Sequence, residues 1–345
     1  MKKRHAITQN IKTFVAMINS EEIRFDLPIQ RTKGQWSLLS QSLLVHSIIK
    51  DYDIPAVYSK SDQTAGTNEF RYSVIDGLQR LSTMVDFCMD KFALHKDTPN
   101  ATVDGVVYEL EGLKFSELDD VIQNAIQDYQ LTMYYFINMT EEELIEMFCR
   151  IGNGKALNNQ QKAKARLGLE MATNLNNITG LPFFLDYTKL TPAQIKRADD
   201  EKIVMRVLMA MDEDFTDEVA YDTKTMERYM KLLRTSNNTD LFEELTIVLE
   251  YLTEAIEAVG FDDLEVLKNR YLAYMILNAR YAYMTNVSNQ QYGAWMLEVS
   301  KRLDDEGYKT LFAQTAANKS NSGVKNIQKR LQENLAAHAL AITHV

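Results

Sequence analysis

The stretch "YSVIDGLQRLSTM", residues Tyr72–Met84, decides how the first half of this chain folds. Before it, "FRYSVI" is a compact apolar and aromatic run of strand length. After it, Leu78, Leu81, Val85 and Cys88 recur at helical spacing. The hinge between them is Asp76-Gly77-Leu78-Gln79-Arg80. Asp76 is placed to cap the helix, and Gln79 three residues on to reach back, a variant of the capping box. Gly77 lets the chain turn and lets another group approach the backbone. Arg80 does not fit that structural account. A cation in the first helical turn faces the positive end of the helix dipole, at a cost of roughly 0.3–1 kcal/mol. It becomes favourable beside a bound phosphate or carboxylate, or in a salt bridge to a nearby acid. The spacing is neither GxxxxGK nor GxGxxG, so the Walker loop and the dinucleotide fingerprint are excluded.

Strand signals lie on both sides of this hinge. Ile7, Ile11, Phe14, Val15 and Ile18 predict an opening amphipathic helix, and "IRFDLPIQR" alternates as a strand whose Pro28 suggests a sheet edge. "WSLLSQSLLVHSIIK" reads as a helix buried through Leu39, Leu43 and Ile48–Ile49. "IPAVYS" is a short strand, Ser59–Asn68 a polar turn-rich stretch, and "VVYEL" and "LTMYYFI" further strands around a helix starting near Ser116. Thr140 with Glu143 is a capping box for a helix that ends at "GNGK", and "NNQQKAKARLGLEMATNL" begins the next. After about residue 200 every apolar pattern has helical period. The expected architecture is an α+β amino-terminal domain, a small mixed sheet with helices over residues 1–175, followed by an all-α domain over 176–345.

Composition bounds the function. The 345 residues are 46% hydrophobic and 25% charged, which fits a folded globular protein. No apolar run is long enough for a membrane span and no secretion signal is visible, so a cytoplasmic protein without a membrane partner is expected. Cys88 and Cys149 are the two cysteines. Both sit in helical patterns and read as small core hydrophobes, which argues against redox chemistry. Net charge is −10, but it is uneven: residues 1–50 carry eight Lys/Arg against three Asp/Glu, and residues 51–150 seven against nineteen. A basic surface on an acidic body is compatible with this. Lys162, Lys164 and Arg166 are candidates for DNA contact, but they alternate along one helix and so spread over more than one face, and a solvated helix is the simpler account.

Two other connections share the flavour of the hinge. "LPIQRTKGQW" places Gln30, Arg31, Lys33 and Trp36 after a strand, and "RIGNGKALNN" places Arg150, Asn153, Gly154 and Lys155 between helices. Together, "PIQR…W", "YSVIDGLQRLSTM" and "EMFCRIGNGKALNNQQ" resemble the bacterial DGQQR proteins, known as domain of unknown function 262. Their amino-terminal domain is related to the ParB/sulfiredoxin-like fold. The resemblance implies nucleoside triphosphate binding, with Arg31 in one phosphate box and Gly77-Leu78-Gln79-Arg80 in the other. It implies a role in GmrSD-type restriction or phage defence, or in counter-defence, with NTP hydrolysis and DNA nicking as its chemistry.

On that basis Asp76, Gln79 and Arg80 are the expected catalytic residues. Gln30, Arg31, Trp36, Gly77, Arg150, Asn153 and Lys155 are the expected nucleotide contacts, and Asp76 is the expected Mg²⁺ ligand. This sequence departs from the family where Leu78 replaces the usual glutamine. Its last 170 residues carry histidines only at His338 and His344, without the spacing of a His-Asn-His nuclease finger. The alternative is a non-catalytic switch or interaction protein. It would hold a partner protein or form an oligomer through its helical domain, which is rich in Tyr and Met (Tyr271, Tyr274, Tyr281 and Tyr283 among them), and keep a vestigial pocket.

Overall fold

The structure is a computed structural model, and it describes residues 4–30, 34–63, 70–151, 158–213, 215, 223–313 and 321–343. Two compact units divide the chain, Met1–Ala156 and Leu157–Val345. Strands lie within residues 4–137, and every regular element described after them is a helix. This is the predicted succession of a mixed sheet with helices and then a helical region.

The first unit is built on a five-stranded sheet. Its strands are β1 (Arg4–Asn10), β2 (Ile23–Arg24), β3 (Val57–Gln63), β4 (Phe70–Asp76) and β7 (Gln130–Ile137), in the order β1-β7-β3-β4-β2. β1 and β7 are antiparallel, as are β3 and β4; β3 runs parallel to β7, and β2 parallel to β4. The pleat sets which residues enter the core. On β4, Tyr72 and Val74 point to one face and on β7 Leu131 and Met133 do the same, all at 9% exposure or less. They meet Ile11 and Phe14 of α1 (Ile11–Asn19), Leu44, Val45 and Ile48 of α2 (Leu38–Ile49), Leu81 and Phe87 of α3 (Leu78–Cys88), and Ile122 of α4 (Asp120–Asp128). Ile75, one residue out of step with Val74, is also buried, and α5 (Glu141–Ile151) packs against β4. A short ribbon of β5 (Ala101–Val103) and β6 (Val106–Tyr108) stands apart from the sheet.

Several local expectations are corrected. Ile7 lies in β1, so the first helix starts only at Ile11, where Asn10 caps it by accepting from the Thr13 N–H at 2.9 Å. The helical period was present, but cross-strand pairing of residues 4–10 with β7 competes with it and wins. The alternation of "IRFDLPIQR" yields a strand of only two residues. Pro28 has no N–H to give, and the Gln30 N–H closes a turn on the Leu27 carbonyl instead. β2 is nevertheless the sheet edge, as the proline suggested. In α2 the buried set is Leu44, Val45, Ile48 and Ile49, while Leu43 is exposed. Residues 59–63 are strand rather than turn, because β4 and β7 flank them on both sides. Thr140 and Glu143 do form their capping box. Cys88 and Cys149 are half-buried; Cys88 packs against the core, and burial pushes its thiol up to about 11.

In the second unit α6 (Asn159–Arg166) and α7 (Gly168–Thr179) are separate helices, broken where Gly168 takes φ 80°. After the short α8 (Pro182–Asp186) and α9 (Pro192–Lys196), α6 and α7 pack with α10 (Asp199–Met211) and α11 (Thr223–Ser236). The bundle continues through α12 (Asp240–Glu257), α13 (Asn269–Met284), α14 (Asn289–Lys301), the short α15 (Glu306–Lys309) and α16 (Asn321–Thr343). Trp295 and Tyr292 of α14 and Tyr229 of α11 are its largest fully buried side chains among the described residues, and the indole N–H of Trp295 donates to Asn334 at 2.8 Å. Of the α13 tyrosines, Tyr283 is exposed and Tyr271, Tyr274 and Tyr281 are half-buried. No helix among the described residues is long and apolar enough to cross a membrane.

Lys164 corrects the expectation of DNA contact. Its side chain is 4% exposed and its ammonium donates to Glu201 at 2.7 Å and Asn176 at 2.6 Å. Removing one member of such a buried pair strands the other charge, so Lys164→Ala should cost on the order of 3 kcal/mol in urea unfolding. A loss below about 0.5 kcal/mol would place the pair among surface bridges. Next to it, burial pushes the Asp200 carboxyl up, and the Glu201 charge adds to the shift. A raised carboxyl contributes its full stability below its ordinary value of 3.8 and loses it as pH rises above that. Asp200→Asn is therefore expected to raise Tm at neutral pH and to gain nothing below 3.8; an equal gain at both would exclude titration as the cause.

Candidate functional site

The candidate site is the β4–α3 turn. Asp76 is the last residue of β4, and Gly77, not Asp76, is the N-cap of α3, at φ 102° and with no side-chain cap. The predicted capping box is thus absent. The Asp76 carboxylate turns instead to Arg80, whose Nη2 donates to Asp76 Oδ2 at 2.8 Å and to the Ala56 carbonyl at 3.2 Å. Gln79 does not reach back either: its Oε1 accepts the Gln35 N–H at 3.1 Å. The reason lies in Gly77. A left-handed residue at the cap swings the strand end away from the first-turn N–H groups, so an aspartate one residue earlier cannot cap them.

The same glycine is held by close packing. A Cβ on it would stand 2.8 Å from Val57 Cγ2 and 3.3 Å from Arg80 Nη2. Its role in bringing the guanidinium against the turn is therefore steric as well as conformational. Arg80 is 17% exposed and its Nε is buried with no hydrogen-bond partner. The pair with Asp76 answers, in part, the question its position raised. An i,i+4 acid at the strand end neutralises the cation that the helix dipole disfavours.

Gln30 reaches the same turn from the edge of the sheet. Its Nε2 donates to the Val74 and Ile75 carbonyls at 2.5 and 3.1 Å, where β2 has stopped pairing with β4. The side chain stands in for the strand that Pro28 interrupts. Gln30 Oε1 is buried and unpartnered. Residues 27–30 and Gln35 are thus both fastened to the turn, and Arg31 and Lys33 fall between those anchors in sequence. Trp36 is half-buried against the core.

The structure therefore brings together Gln30, Asp76, Gly77, Gln79 and Arg80. Arg150 is different: it is 76% exposed on α5 and pairs with Glu146 of its own helix at 2.5 Å. Arg31, Lys33, Asn153, Gly154 and Lys155 lie outside the described residues. Among the described residues no group of three or more His, Cys, Asp or Glu side chains could hold a metal. Asp76 is the single carboxylate that the turn itself contributes. Gln35, which pins the loop to Gln79, was missed in the sequence, because a backbone donor leaves no mark on residue type.

Alanine at position 77 should cost on the order of 3 kcal/mol, from the positive φ and the clash with Val57. Chemical denaturation measures it, and a cost under about 1 kcal/mol would mean the turn relaxes without strain.

No curated protein and no solved structure gives a significant match to this chain. Residues 11–168, just under half of the chain and including the whole of the β4–α3 turn, match the family model described as the GmrSD restriction endonuclease N-terminal domain.

Proposed function

We propose that this protein belongs to a restriction-type phage-defence system and that its first unit binds, and hydrolyses, a nucleoside triphosphate at the β4–α3 turn. The observation that carries the reading is the open start of α3. Its first N–H groups have no side-chain cap, and beside them stands an arginine with a buried, unsatisfied Nε. An uncapped helix N-terminus favours a phosphate, and a guanidinium retains donors for it after pairing with one carboxylate. The match of residues 11–168 to a restriction endonuclease domain supports the biological setting and DNA as the second ligand.

In this reading Gly77 admits the phosphates to the backbone. Arg80 neutralises charge developing on the phosphoryl oxygens, the usual protein contribution to phosphoryl transfer. Gln79 positions a water or a phosphate oxygen. Gln30 and Trp36 border the nucleotide. Arg31, Asn153, Lys155 and the exposed Arg150 supply further contacts to it. Mg²⁺ suits the donor set, since it needs one or two carboxylates and takes its other ligands from phosphate and water; Asp76 is the carboxylate that would hold it.

A second reading has an observation of its own. Arg80 already has Asp76 and the Ala56 carbonyl, and Gly77 is already demanded by Val57, so the motif is explicable as a structural clasp. The protein would then be a non-catalytic interaction or switch protein working through its helical unit.

Thermal shift with each NTP and Mg²⁺ separates the two. The first reading expects a gain of about 5–10 °C at a hundredfold excess over Kd. Arg80→Lys keeps the charge and the partner Asp76 but loses the fork, so it should fold normally and abolish most of that gain. A wild-type protein that no nucleotide stabilises belongs to the second reading. Phosphate release, measured with and without DNA, then divides binding from hydrolysis.

A further inference from the structure

The sheet of the first unit has two faces, and helices α1–α4 pack the core against one of them. Tyr72, Val74, Leu131 and Met133 point to that side. The register fixes what stands on the other. In one row across the strands, Ala6 of β1 lies beside Tyr134 of β7, and Tyr134 beside Tyr58 of β3. In the next row Arg4 lies beside Phe136, and Phe136 beside Lys60. Beyond Lys60, Asp62 is paired with Arg71 of β4. Arg4, Ala6, Asp62 and Arg71 are exposed, and the three rings are half-buried without belonging to the core of the helical side. α5 packs against β4, where Ile75 is buried, so the open part of this face is carried mainly by β1, β7 and β3.

A sheet face left to water is ordinarily polar. Thr8 and Thr132, hydrogen-bonded across β1 and β7 at 2.9 Å, are that ordinary case. Two residues further along β7 the face becomes aromatic instead. The Arg4 guanidinium carbon lies 4.4 Å from the centre of the Tyr134 ring, and that ring lies 5.6 Å from the ring of Tyr58. Three strands thus present one row of flat π surfaces. Phe136 adds another ring about 7 Å along β7 from Tyr134. Tyr58 is also the register partner of Asp76, so the row ends beside the β4–α3 turn.

Cross-strand pairing of aromatic rings stabilises a sheet by itself. It does not call for cations bordering the rings, and here Arg4, Lys60 and Arg71 border them. Asp62 pairs with Lys60 at 3.0 Å, and Asp76 is held by Arg80. We infer that this face is a docking platform for single-stranded DNA, with bases stacked on Tyr134, Tyr58 and Phe136 and phosphates met by Arg4 and Arg71. An unpaired strand offers a flat π face at every base and an anion at every linkage, which is the complement of rings bordered by cations. A duplex keeps its bases stacked within itself and offers the rings nothing. A second copy of the same face would set like cations against one another. The inference deepens the function above and rests on it in taking DNA rather than RNA as the strand.

Fluorescence anisotropy of a labelled single-stranded DNA of about sixteen bases, with the full chain, tests it. Tyr134→Leu keeps apolar bulk on the sheet but removes the π surface, and it should weaken binding at least about fivefold. Tyr134→Phe keeps the ring and should bind within about twofold of the wild type. Arg71→Gln alters an exposed side chain, so it reads out whether or not the leucine variant folds. It should flatten the slope of log affinity against log salt by about 0.7, one phosphate's share on a single strand. Unchanged affinity in a folded Tyr134→Leu variant overturns the proposal, as does an unchanged slope in Arg71→Gln or a wild-type chain that binds no oligonucleotide. Tighter binding of a duplex, or of RNA of the same sequence, overturns it too. The NTP-induced thermal shift reports on the β4–α3 turn separately: Arg71→Gln should keep it, and its absence from the wild type would defeat the nucleotide reading while leaving the oligonucleotide result intact.

Discussion

A missing methyl group organises the first unit. Gly77 has no Cβ, and where one would stand Val57 of β3 is already in place. β3 is the strand between β4 and β7, so the close approach couples the turn to the middle of the sheet. The positive φ that follows sends α3 back over the core, and Leu81 and Phe87 then meet α2 and the sheet. It also leaves Asp76 on the strand side of the turn, where its carboxylate finds Arg80 instead of the helix N–H groups. Conformation, packing and electrostatics of the motif thus follow from one residue type at one position.

The second unit depends on a different constraint, the burial of charge. Lys164 comes from α6, Asn176 from α7 and Glu201 from the first turn of α10, and they meet around a lysine that is almost fully buried. Such a contact adds little net stability compared with an apolar substitute, since desolvation offsets most of the attraction. What it does is make alternative packings of these three helices costly, because any of them would strand an ion. The pairing also decides the outer surface: with Lys164 turned inward, the cations still facing solvent on α6 are Lys162 and Arg166, beside α11.

Much of this was legible in the residues, for identifiable reasons. β4, β7 and α3 are long, strongly patterned and flanked by turn chemistry, so period alone finds them. The two-residue β2 was not legible, because alternation in "IRFDLPIQR" is cancelled by a proline and by a glutamine side chain doing the work of a backbone. The start of α1 was masked in the same way: Ile7 fits a helix by spacing, and only the distant partner β7 makes it strand. At the site, the residues around the DGLQR motif were found but their bonding was not. Asp76 looks like a cap from its place in the sequence, and it takes the backbone angle of Gly77 to turn it into a counter-ion. Lys164 and Lys162 differ by two positions on one helix, and sequence treats them alike; in the structure Lys164 is buried and Lys162 half-buried.

The Asp76–Arg80 pair constrains what the turn can do. A guanidinium held by a carboxylate at 2.8 Å is well oriented but electrostatically close to neutral, so its pull on a distant anion is small. A triphosphate bearing several charges would need more cations than this turn supplies among its described residues. Orientation and attraction are then divided between different groups. Arg80, locked by Asp76 and Ala56, offers donors in fixed positions, which favours recognition of one phosphate geometry over another. In the proposed reading the charge to attract the ligand would come from elsewhere, and Arg31 and Lys33 lie in sequence between Gln30 and Gln35, both of which are bonded to the turn. A metal ion carried in on the phosphates would serve the same purpose and would compete with Arg80 for Asp76. If the proposed nucleotide binds, the ion pair would then be a point at which its arrival could act on the start of α3, because Asp76 ends β4 and Arg80 lies in the first turn of that helix.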